Sequence, residues 1–274
     1  MAKSAADREQ EREEQDERIA AALSRIKRKY LVMSGKGGVG KTTVAVNLGL
    51  ILGQRGHSVG LMDVDLHGPN TLKMLGLEGI PMQSDGDRIR PLDYHGRLKV
   101  VSIASMLEDP DSAVIWRGPL KIGVIRQFIA DVGWDDLDYL IIDSPPGTGD
   151  EPLTVAQTVK GAEGIIVTTS QEISLMDIRK SITFCRQVSM PIAGILENMS
   201  GLDCPHCGKR IDLFKSGGGR KTAEQSGVPF LGEIPLDPQL VIAGDAGMPY
   251  ILEKPDSPAA RAYQSFVDAL LAGS

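Results

Sequence analysis

Cysteine is scarce in this sequence. Three of the 274 residues are cysteine, at positions 185, 204 and 207. A secreted scaffold held together by disulfides needs more cysteines than this, so that class is excluded and a reducing compartment is favoured. The low count also leaves one close pair of thiols, Cys204 and Cys207, with the third thiol far away along the chain.

Long apolar runs are missing as well. No stretch of about 18 apolar residues is present, which is the length that a membrane-spanning helix needs. The first 30 residues are rich in charge and do not have the apolar segment of a secretory signal. We therefore expect a soluble cytoplasmic protein without a membrane partner.

The sequence does not have an excess of basic residues. Its formal net charge is −6 and its isoelectric point is about 5.3. No global positive field would attract nucleic acid, although a local basic patch is compatible with this total, and we expect no nucleic-acid partner. The length suffices for one large domain with a substantial core.

Charged residues are concentrated at the N-terminus, and this predicts a boundary between an N-terminal extension and a folded domain. We expect residues 1–27 to form a charged extension that is disordered or a solvated helix up to residue 16, with Ile19 to Lys27 as a docking helix. Residues 28–274 are expected to form a single domain, which carries a cysteine-containing loop at 199–215.

A glycine-rich stretch, GKGGVGKT at residues 35–42, organises the rest of the chain. It fits the phosphate-binding pattern G-x-x-x-x-G-K-[ST]. The apolar run Tyr30–Ser34 predicts a strand before it, and Thr43–Leu52 predicts a helix after it, as the motif requires. Glycine costs roughly 0.5–1 kcal/mol against alanine in regular structure, so this concentration favours a backbone that turns its amides onto an anion. An ordinary glycine-rich turn is the alternative.

The loop predicts that residues 28–274 are a P-loop ATPase domain, and it predicts the residues that bind ATP. The Lys41 ammonium would reach the β- and γ-phosphates, and the Thr42 hydroxyl would ligate Mg²⁺. The predicted nucleotide-binding residues of this segment are Gly35, Gly37, Gly38, Val39, Gly40, Lys41, Thr42 and Thr43.

Acidic residues end two predicted strands. The strand Ser58–Met62 leads into DVD at residues 63–65, and the strand Asp138–Asp143 itself ends in an acid. Since the carboxyl ends of strands in an open α/β sheet bind ligands, we predict that Asp63 and Asp143 lie in the Mg²⁺ shell. Asp65 would orient or deprotonate the attacking water. Capping of the strand ends is the alternative.

The backbone of the segment SPPGTGD at residues 144–150 is restricted at the prolines, which fix φ, and flexible at the glycines. This pattern predicts a loop with two conformations, in which the Gly147 amide senses a γ-phosphate. A plain strand-to-helix loop is the alternative.

Farther upstream, Trp116 to Pro119 opens a predicted helix that runs to about Val132. Arg117 is either a reporter of the nucleotide state or a surface arginine.

Further strands alternate with helices along the rest of the chain. Strands are predicted at Lys99–Ile103, Ile165–Thr169, Ile192–Asn198 and Phe230–Pro235 and helices at Ser174–Gln187 and Ala259–Leu271, with an irregular insertion or hairpin at residues 79–97. This alternation predicts an α/β fold with a mostly parallel central sheet and helices on both faces. Two strand ends predict the base pocket, with the amide of Asn198 recognising an adenine edge and Pro235 forming another wall.

A C-x-x-C pair, Cys204 and Cys207, forms a second chemical centre. It follows a strand end in a glycine-flanked loop, so a thioredoxin-like redox pair and a turn without function are weaker interpretations than a metal site. Zinc or a 4Fe–4S cluster commonly takes four thiolates, and a C2 dimer of this chain would supply four. His206 lies inside the pair, where joint chelation is awkward, and Cys185 is expected to be a buried hydrophobic residue.

Seven segments carry a family resemblance. In order they are GKGGVGKT, DVDLHGPN, WRGPL, DSPPGTGD, ENMSG, CPHCG and GEIPLDP, within residues 28–272. The set resembles the Mrp/ApbC-type iron–sulfur cluster carrier ATPases, and the first segment resembles the deviant Walker A motif of the MinD, ParA and Mrp ATPases. The resemblance implies a SIMIBI-class P-loop fold and an ATP-binding homodimer. The dimer would bridge a labile 4Fe–4S cluster on Cys204 and Cys207, accept it from a donor and transfer it to apo-proteins.

The same resemblance implies a role for Lys36, the second residue of the loop. In the MinD/ParA/Mrp group this lysine crosses a dimer interface to the partner's nucleotide, much as an arginine finger does. Lys36 would then join Lys41 and Asp65 as a catalytic residue of a slow, Mg²⁺-dependent ATP hydrolysis. A solvated surface lysine is the alternative.

Two further hypotheses for the whole chain stand beside the cluster carrier. One is a MinD/ParA-like positioning ATPase that acts on membrane or DNA, against which the absence of basic patches and of a membrane-targeting helix argues. The other is an ATPase dimer in which zinc, instead of a cluster, only joins the subunits.

Overall fold

The computed structural model describes residues 4–66, 68–86, 88–106, 118–204 and 206–273. Its strands are β1 (Ile26–Ser34), β2 (Val59–Asp63), β3 (Gln83–Asp85), β4 (Arg88–Arg90), β5 (Leu92–Tyr94), β6 (Leu98–Ser102), β7 (Leu137–Asp143), β8 (Ala162–Thr168), β9 (Ile192–Glu197), β10 (Leu202–Asp203), β11 (Arg210–Ile211) and β12 (Phe230–Glu233). Its α-helices are α1 (Ala5–Ser24), α2 (Lys41–Gln54), α3 (Thr71–Met74), α4 (Gly118–Asp131), α5 (Asp150–Thr158), α6 (Glu172–Gln187), α7 (Gly218–Ser226), α8 (Pro238–Asp245), α9 (Tyr250–Glu253) and α10 (Pro258–Ala272).

An eight-stranded sheet forms the centre of the molecule. Its strand order is β12-β9-β8-β1-β7-β2-β6-β5, and every pairing is parallel except that of β5 with β6. The predicted α/β fold with a mostly parallel sheet is therefore confirmed. Because parallel strands end at one edge, β1, β2, β7 and β9 bring the P-loop, two acids and the segment before the cysteine pair to the same side.

Side chains alternate across the sheet and build two cores. On β1, Tyr30 and Val32 face α2 and α10, whereas Leu31 and Met33 face the layer of α4, α5 and α6. All four side chains are fully buried. This two-sided burial explains why the central strands read as continuous apolar runs and not as alternating ones.

The N-terminal segment agrees with its prediction in its first part and differs at its end. Of the two alternatives for the residues up to 16, the structure has the solvated helix, because residues 5–16 belong to α1, which runs from Ala5 to Ser24. The Ser4 hydroxyl caps its first turn. Ile19 and Leu23 pack into the core beside α4, so the docking prediction holds for them. The predicted helix to Lys27 is wrong in its last residues, because β1 already begins at Ile26 and pairs with β7.

The segment at residues 79–97 forms a hairpin of β3 and β4, followed by the antiparallel edge strand β5. Trp116 and Arg117, which open the predicted helix in the sequence, lie outside the described residues, and the helix itself is α4. Within the described segments, no helix has the length and apolar character to cross a bilayer.

Gly60 in the middle of β2 provides a test of this packing. A Cβ atom there would lie 2.7 Å from Leu137 Cδ1 and 2.9 Å from the Trp134 ring. We expect Gly60→Ala to lower the free energy of unfolding by ~1–3 kcal/mol through overpacking. Gly123→Ala on α4, where a Cβ meets no atom within 4 Å, should instead raise it by about 0.5–1 kcal/mol. Urea unfolding measures the change in the free energy of unfolding for each variant. Equal changes in the two variants would contradict the expectation.

Candidate functional site

The loop at residues 35–40 joins β1 to α2. Gly40, the N-cap of α2, has φ +79°, a conformation that glycine adopts without strain. A Cβ atom at Gly40 would lie 2.3 Å from Asn198 Nδ2. That nitrogen donates a 2.9 Å hydrogen bond to the Val39 carbonyl. The glycine is thus required both by the turn and by the close approach of Asn198 beneath it.

A cavity of about 580 Å³ opens over this loop. One side is the P-loop and the first turn of α2 with Asp65, and the opposite wall comes from α3 and α8. The P-loop side is lined by Lys36, Gly37, Gly38, Val39, Gly40, Lys41, Thr42, Thr43 and Asp65, and the opposite wall by Lys73, Met74, Leu240, Val241, Gly244 and Asp245. Amides at a helix N-terminus facing a cavity of this size are suited to a nucleoside phosphate.

Asp143 at the end of β7 organises the phosphate end of the cavity. It accepts a 2.8 Å hydrogen bond from Lys41 Nζ and a 2.6 Å hydrogen bond from Thr42 Oγ1. Lys41 Nζ also lies 4.0 Å from Asp65 Oδ2. The complete burial of Asp143 raises the pKa of its carboxyl group, and the charge of Lys41 opposes this shift.

The same residues fit a magnesium ion. Mg²⁺ prefers oxygen ligands and binds through one or two protein groups together with the phosphates of its substrate. The Thr42 hydroxyl and the Asp143 carboxylate, 2.6 Å apart, supply such oxygens beside the P-loop.

Asp63 lies next to Asp143 in the register of β2 and β7. Its Oδ1 accepts from the Asp65 amide at 3.0 Å, and its Oδ2 accepts from the Thr71 amide and the Ser102 hydroxyl, each at 3.3 Å. Asp63 therefore braces the segment that carries Asp65 and α3. Its burial, together with the charge of Asp143, raises its pKa to about 7. Its role as a Mg²⁺ ligand stays a prediction.

Lys36 lines the cavity, and its ammonium group is held within its own chain. Nζ donates a 2.9 Å hydrogen bond to Gln171 Oε1, and Gln171 is the N-cap of α6. The neighbouring Gly35 packs tightly on the same helix, because a Cβ there would lie 2.5 Å from the Asp177 backbone. Sequence reasoning missed Gln171, which is 135 residues away from Lys36 and belongs to no motif.

The loop after β7 is docked on the P-loop strand. The Gly147 amide donates a 2.8 Å hydrogen bond to the Ser34 carbonyl at the end of β1. Gly147 has φ +91°, and a Cβ there meets no atom within 4 Å, so the backbone conformation alone favours glycine. Its role in sensing a γ-phosphate stays a prediction.

The residues predicted to form the base pocket do not line the cavity. Asn198 lies beneath the P-loop, and neither it nor Pro235 is among the lining residues. The wall away from the P-loop includes Met74 on α3 and Leu240 and Val241 on α8. The signal for α8 in the sequence is the capping pair Asp237-Pro238, whose Asp side chain accepts from the Gln239 amide. The base-recognition roles of Asn198 and Pro235 stay predictions.

The two thiols occupy the tip of a small hairpin formed by β10 and β11. Cys204 is half-buried and Cys207 is exposed. Hydrogen bonds from the His206 and Cys207 amides lower the pKa of the Cys204 thiol. Throughout the described ranges, no three His, Cys, Asp or Glu side chains come together as a potential metal site. One chain thus offers this hairpin two thiolates and no third ligand nearby among its described residues.

Cys185, the third cysteine, is fully buried on α6, with its sulfur 3.6 Å from Met33 Sδ. Burial raises the pKa of its thiol to about 12, which keeps it protonated and unreactive. The expectation of a small buried hydrophobic residue is confirmed.

A glycine-rich loop between a strand and a helix, at the carboxyl edge of a mostly parallel sheet, defines a P-loop NTPase. The profile of the ParA family described as NUBPL iron-transfer P-loop NTPase matches residues 25–271. The chain therefore belongs to this family of P-loop NTPases, and the resemblance drawn from the sequence segments is confirmed.

Relatives and solved structures support this assignment. The chain is 49% identical to an iron–sulfur cluster carrier protein of Methanocaldococcus jannaschii, over 87% of this chain and 83% of that protein. It is 47% identical to a cytosolic Fe-S cluster assembly factor NUBP2 homolog of Dictyostelium discoideum, over 90% and 95% of the two chains. A nucleotide-binding protein from Archaeoglobus fulgidus, solved in complex with ADP, superposes with a TM-score of 0.76 at 39% identity, over 85% and 91%. The cell division ATPase MinD of Pyrococcus furiosus shares the fold, with a TM-score of 0.66 at 22% identity over 90% and 99%.

The buried pair Asp63 and Asp143 predicts a pH dependence of stability. Asp63 has a pKa of about 7 in the folded state against 3.8 for the free group. The folded state therefore holds a proton that the unfolded chain has lost, and this contribution to stability declines as pH rises from about 4 to 7. Asp143 acts in the same direction. We expect Asp63→Asn to remove up to ~1.4 kcal/mol per pH unit from the slope in this window.

The measurement is urea unfolding from pH 4 to pH 8. Asp256→Asn, at an exposed residue that does not line the cavity, is the matched control and should keep the wild-type slope. A wild-type slope in Asp63→Asn would contradict the interpretation of Asp63 as a protonated buried acid.

Proposed function

We propose that the protein is an ATP-binding and slowly hydrolysing carrier of iron–sulfur clusters that works as a homodimer. The observation that carries the proposal is the arrangement of one sheet edge. A nucleotide cavity with a complete P-loop and a hairpin with two thiols both lie at the carboxyl ends of the central strands. The names of the relatives, which include iron–sulfur cluster carrier proteins, support cluster transport as the use of this arrangement.

The cluster is the cargo of this protein. A 4Fe–4S cluster commonly takes four thiolates, and each chain contributes two, from Cys204 and Cys207. A two-fold axis through the hairpin tips would bring four sulfurs together, with the cluster shared by both subunits. Exposure of Cys207 and the lowered pKa of Cys204 favour thiolates that can accept and release metal.

The nucleotide chemistry rests on groups already in contact. The P-loop amides and Lys41 would bind the phosphates, and Thr42 and Asp143 would hold Mg²⁺, which would supply positive charge beside the transferred phosphoryl group. Transfer of the Lys41 ammonium group from Asp143 to the phosphates would leave that carboxylate available as a metal ligand. Asp65, 4.0 Å from Lys41, orients the attacking water.

The dimer also completes the nucleotide site. Lys36 is held by Gln171 of its own chain, which sets the ammonium group at the rim of the cavity. In the proposed dimer Lys36 leaves Gln171 and neutralises phosphate charge on the partner's nucleotide. Recipient apo-proteins and a cluster donor are the further partners, and the cytoplasm is the proposed location, in keeping with the name of the cytosolic NUBP2 homologue.

Anaerobic reconstitution with iron and sulfide tests the cargo. We expect about two iron atoms per chain, which corresponds to one 4Fe–4S cluster shared by two subunits. The double variant Cys204→Ala/Cys207→Ala should bind almost no iron, because the thiolates are lost. Cys185→Ala removes the buried thiol and should keep the wild-type iron content.

Metal analysis of protein purified without oxygen completes this experiment. Unchanged iron in the double variant would refute the carrier function. Zinc without iron in the wild-type protein would favour the alternative of a structural metal that only joins the subunits.

Mixed dimers test whether Lys36 acts across the interface. Lys36→Ala and Asp65→Asn should each abolish most ATP hydrolysis, Lys36→Ala by removing a charge and Asp65→Asn by removing the water-orienting carboxylate. In an equal mixture, half of the dimers combine both variants, and each of these has one intact site. We therefore expect turnover to recover to about a quarter of the wild-type value.

The mixture is compared with each variant alone and with a mixture of Lys36→Ala and Lys36→Ala/Asp65→Asn, in which no site is complete. No recovery in the first mixture would show that Lys36 acts within its own chain.

A further inference from the structure

Glu197, the last residue of β9, is a completely buried carboxylate that the nucleotide chemistry does not use. Oε1 accepts from the Ser200 hydroxyl at 2.7 Å and from the Gly217 amide at 3.1 Å, and Oε2 accepts from the Gly219 amide at 2.6 Å. A buried carboxylate is tolerated when such charge-assisted hydrogen bonds satisfy it. Here the donors satisfy both oxygens.

These donors bracket the cysteine hairpin. Ser200 lies on the segment that enters the hairpin, and Gly217 and Gly219 lie on the segment that leaves it and begins α7. The N-terminal amides of α7 carry partial positive charge, so they favour an anion at this position. Glu197 thus fixes the two ends of one excursion of the chain, residues 198–219, to the edge of the sheet.

Arg210 extends this connection to β11 of the hairpin itself. Its Nη2 donates a 3.0 Å hydrogen bond to the Ser200 carbonyl and lies 3.9 Å from Glu233 Oε2. The guanidinium group covers Gly201, where a Cβ atom would lie 2.7 Å from Arg210 Nε. A displacement of Ser200 is therefore transmitted to Arg210 through direct contact.

On the other side, Asn198 is hydrogen-bonded to the P-loop and Met199 lies beside it. Asn198 donates to the Val39 carbonyl, and Met199 Cε lies 3.5 Å from the position of a Cβ atom on Gly40. In a trans peptide the carbonyl and the N–H point in opposite directions. The Val39–Gly40 peptide that gives its oxygen to Asn198 thus directs its N–H away from Asn198, and Gly40 lines the cavity. An anion bound there acts on the peptide that Asn198 holds.

The excursion also has backbone positions that can relax. Met199 has φ +56° and Lys215 has φ +65°, a left-handed conformation that costs free energy for a residue with a side chain. Gly201 and Gly217 adopt positive φ as well, and Gly217 is the N-cap of α7. These two residues lie on either side of the hairpin: Met199 directly precedes Ser200, and Lys215 lies two residues before Gly217.

We infer that Glu197 is a positioning residue that couples nucleotide binding at the P-loop to cluster binding at Cys204 and Cys207. The inference rests on the proposed function, since it assigns the route by which the two sites of the carrier affect each other. Glu197 acts by holding Ser200 and the start of α7, so that a shift of Asn198 and Met199 on nucleotide binding moves the hairpin as a unit.

Coupling of this kind is reciprocal and measurable as a ratio of affinities. If nucleotide changes the affinity for the cluster, the cluster changes the affinity for the nucleotide by the same factor, and such factors are typically about 5–150. We expect the wild-type protein to bind a non-hydrolysable ATP analogue with Mg²⁺ with dissociation constants that differ at least about fivefold between the iron-free and cluster-loaded forms.

Anaerobic titration calorimetry of Glu197→Gln tests the role. The amide nitrogen of the introduced glutamine places a donor against the donors that Glu197 accepts from, so the connection is broken with little change in size. We expect this variant to load iron, with its two dissociation constants equal within about twofold. Glu163→Gln makes the same chemical change at the ion pair with Arg28 on the other end of the sheet, and should keep the wild-type ratio.

Ser200→Ala serves as a second variant. It removes the 2.7 Å hydrogen bond from Ser200 to Glu197 and leaves the carboxylate in place. The ratio of its two dissociation constants should therefore lie between those of Glu197→Gln and the wild type. If Glu197→Gln does not fold, as judged by circular dichroism, a wild-type ratio in Ser200→Ala overturns the inference.

The possible failures are distinguishable. A wild-type protein that loads no iron refutes the proposed function. A wild-type protein that loads iron with equal nucleotide affinities in both forms, or a Glu197→Gln variant with the wild-type ratio, leaves the carrier function standing and overturns the role of Glu197.

Discussion

The contact of Asp143 with Lys41 and Thr42 is the interaction on which the arrangement of this molecule depends. It joins the end of β7 to the start of α2, and thereby fixes the P-loop against the next strand of the sheet. Removing a buried carboxylate from water is unfavourable unless a cation and hydrogen-bond donors compensate it, and Lys41 and Thr42 supply both. Phosphate and metal would bind to these same three groups. The contact that stabilises the free protein would therefore be replaced by contacts with the ligand.

Much of this architecture follows from short stretches of sequence. The loop from Gly35 to Thr42, the acids at the ends of two apolar strands and the alternation of strands and helices predict the sheet and the P-loop, because each of these signals lies within a short segment of the chain. Helix α1 is harder to predict, since its first part is almost uniformly charged and its buried apolar side chains, Ile19 and Leu23, pack against a helix that is distant in the sequence.

Other parts of the site could not be predicted because they depend on contacts between remote segments. Sequence places Asp63 beside a metal site, but only the fold shows that Thr71 and Ser102 occupy its oxygens. Likewise, the sequence offers Asn198 as a base-recognition residue, whereas in the structure its amide supports the P-loop from beneath. A side chain at a strand end can serve any of several neighbours, and the pattern of residues does not state which one lies within hydrogen-bond distance.

The hydrogen bond between Lys36 and Gln171 has a consequence for regulation by abundance. In a single chain the Lys36 ammonium group is hydrogen-bonded to Gln171 of that chain. If hydrolysis requires the Lys36 of a second copy, as proposed above, the specific activity must depend on the total amount of protein and decline on dilution. The rate of ATP hydrolysis would then rise more than linearly with the concentration of the chain, which synthesis and degradation determine. At low concentration the protein would bind nucleotide without hydrolysing it.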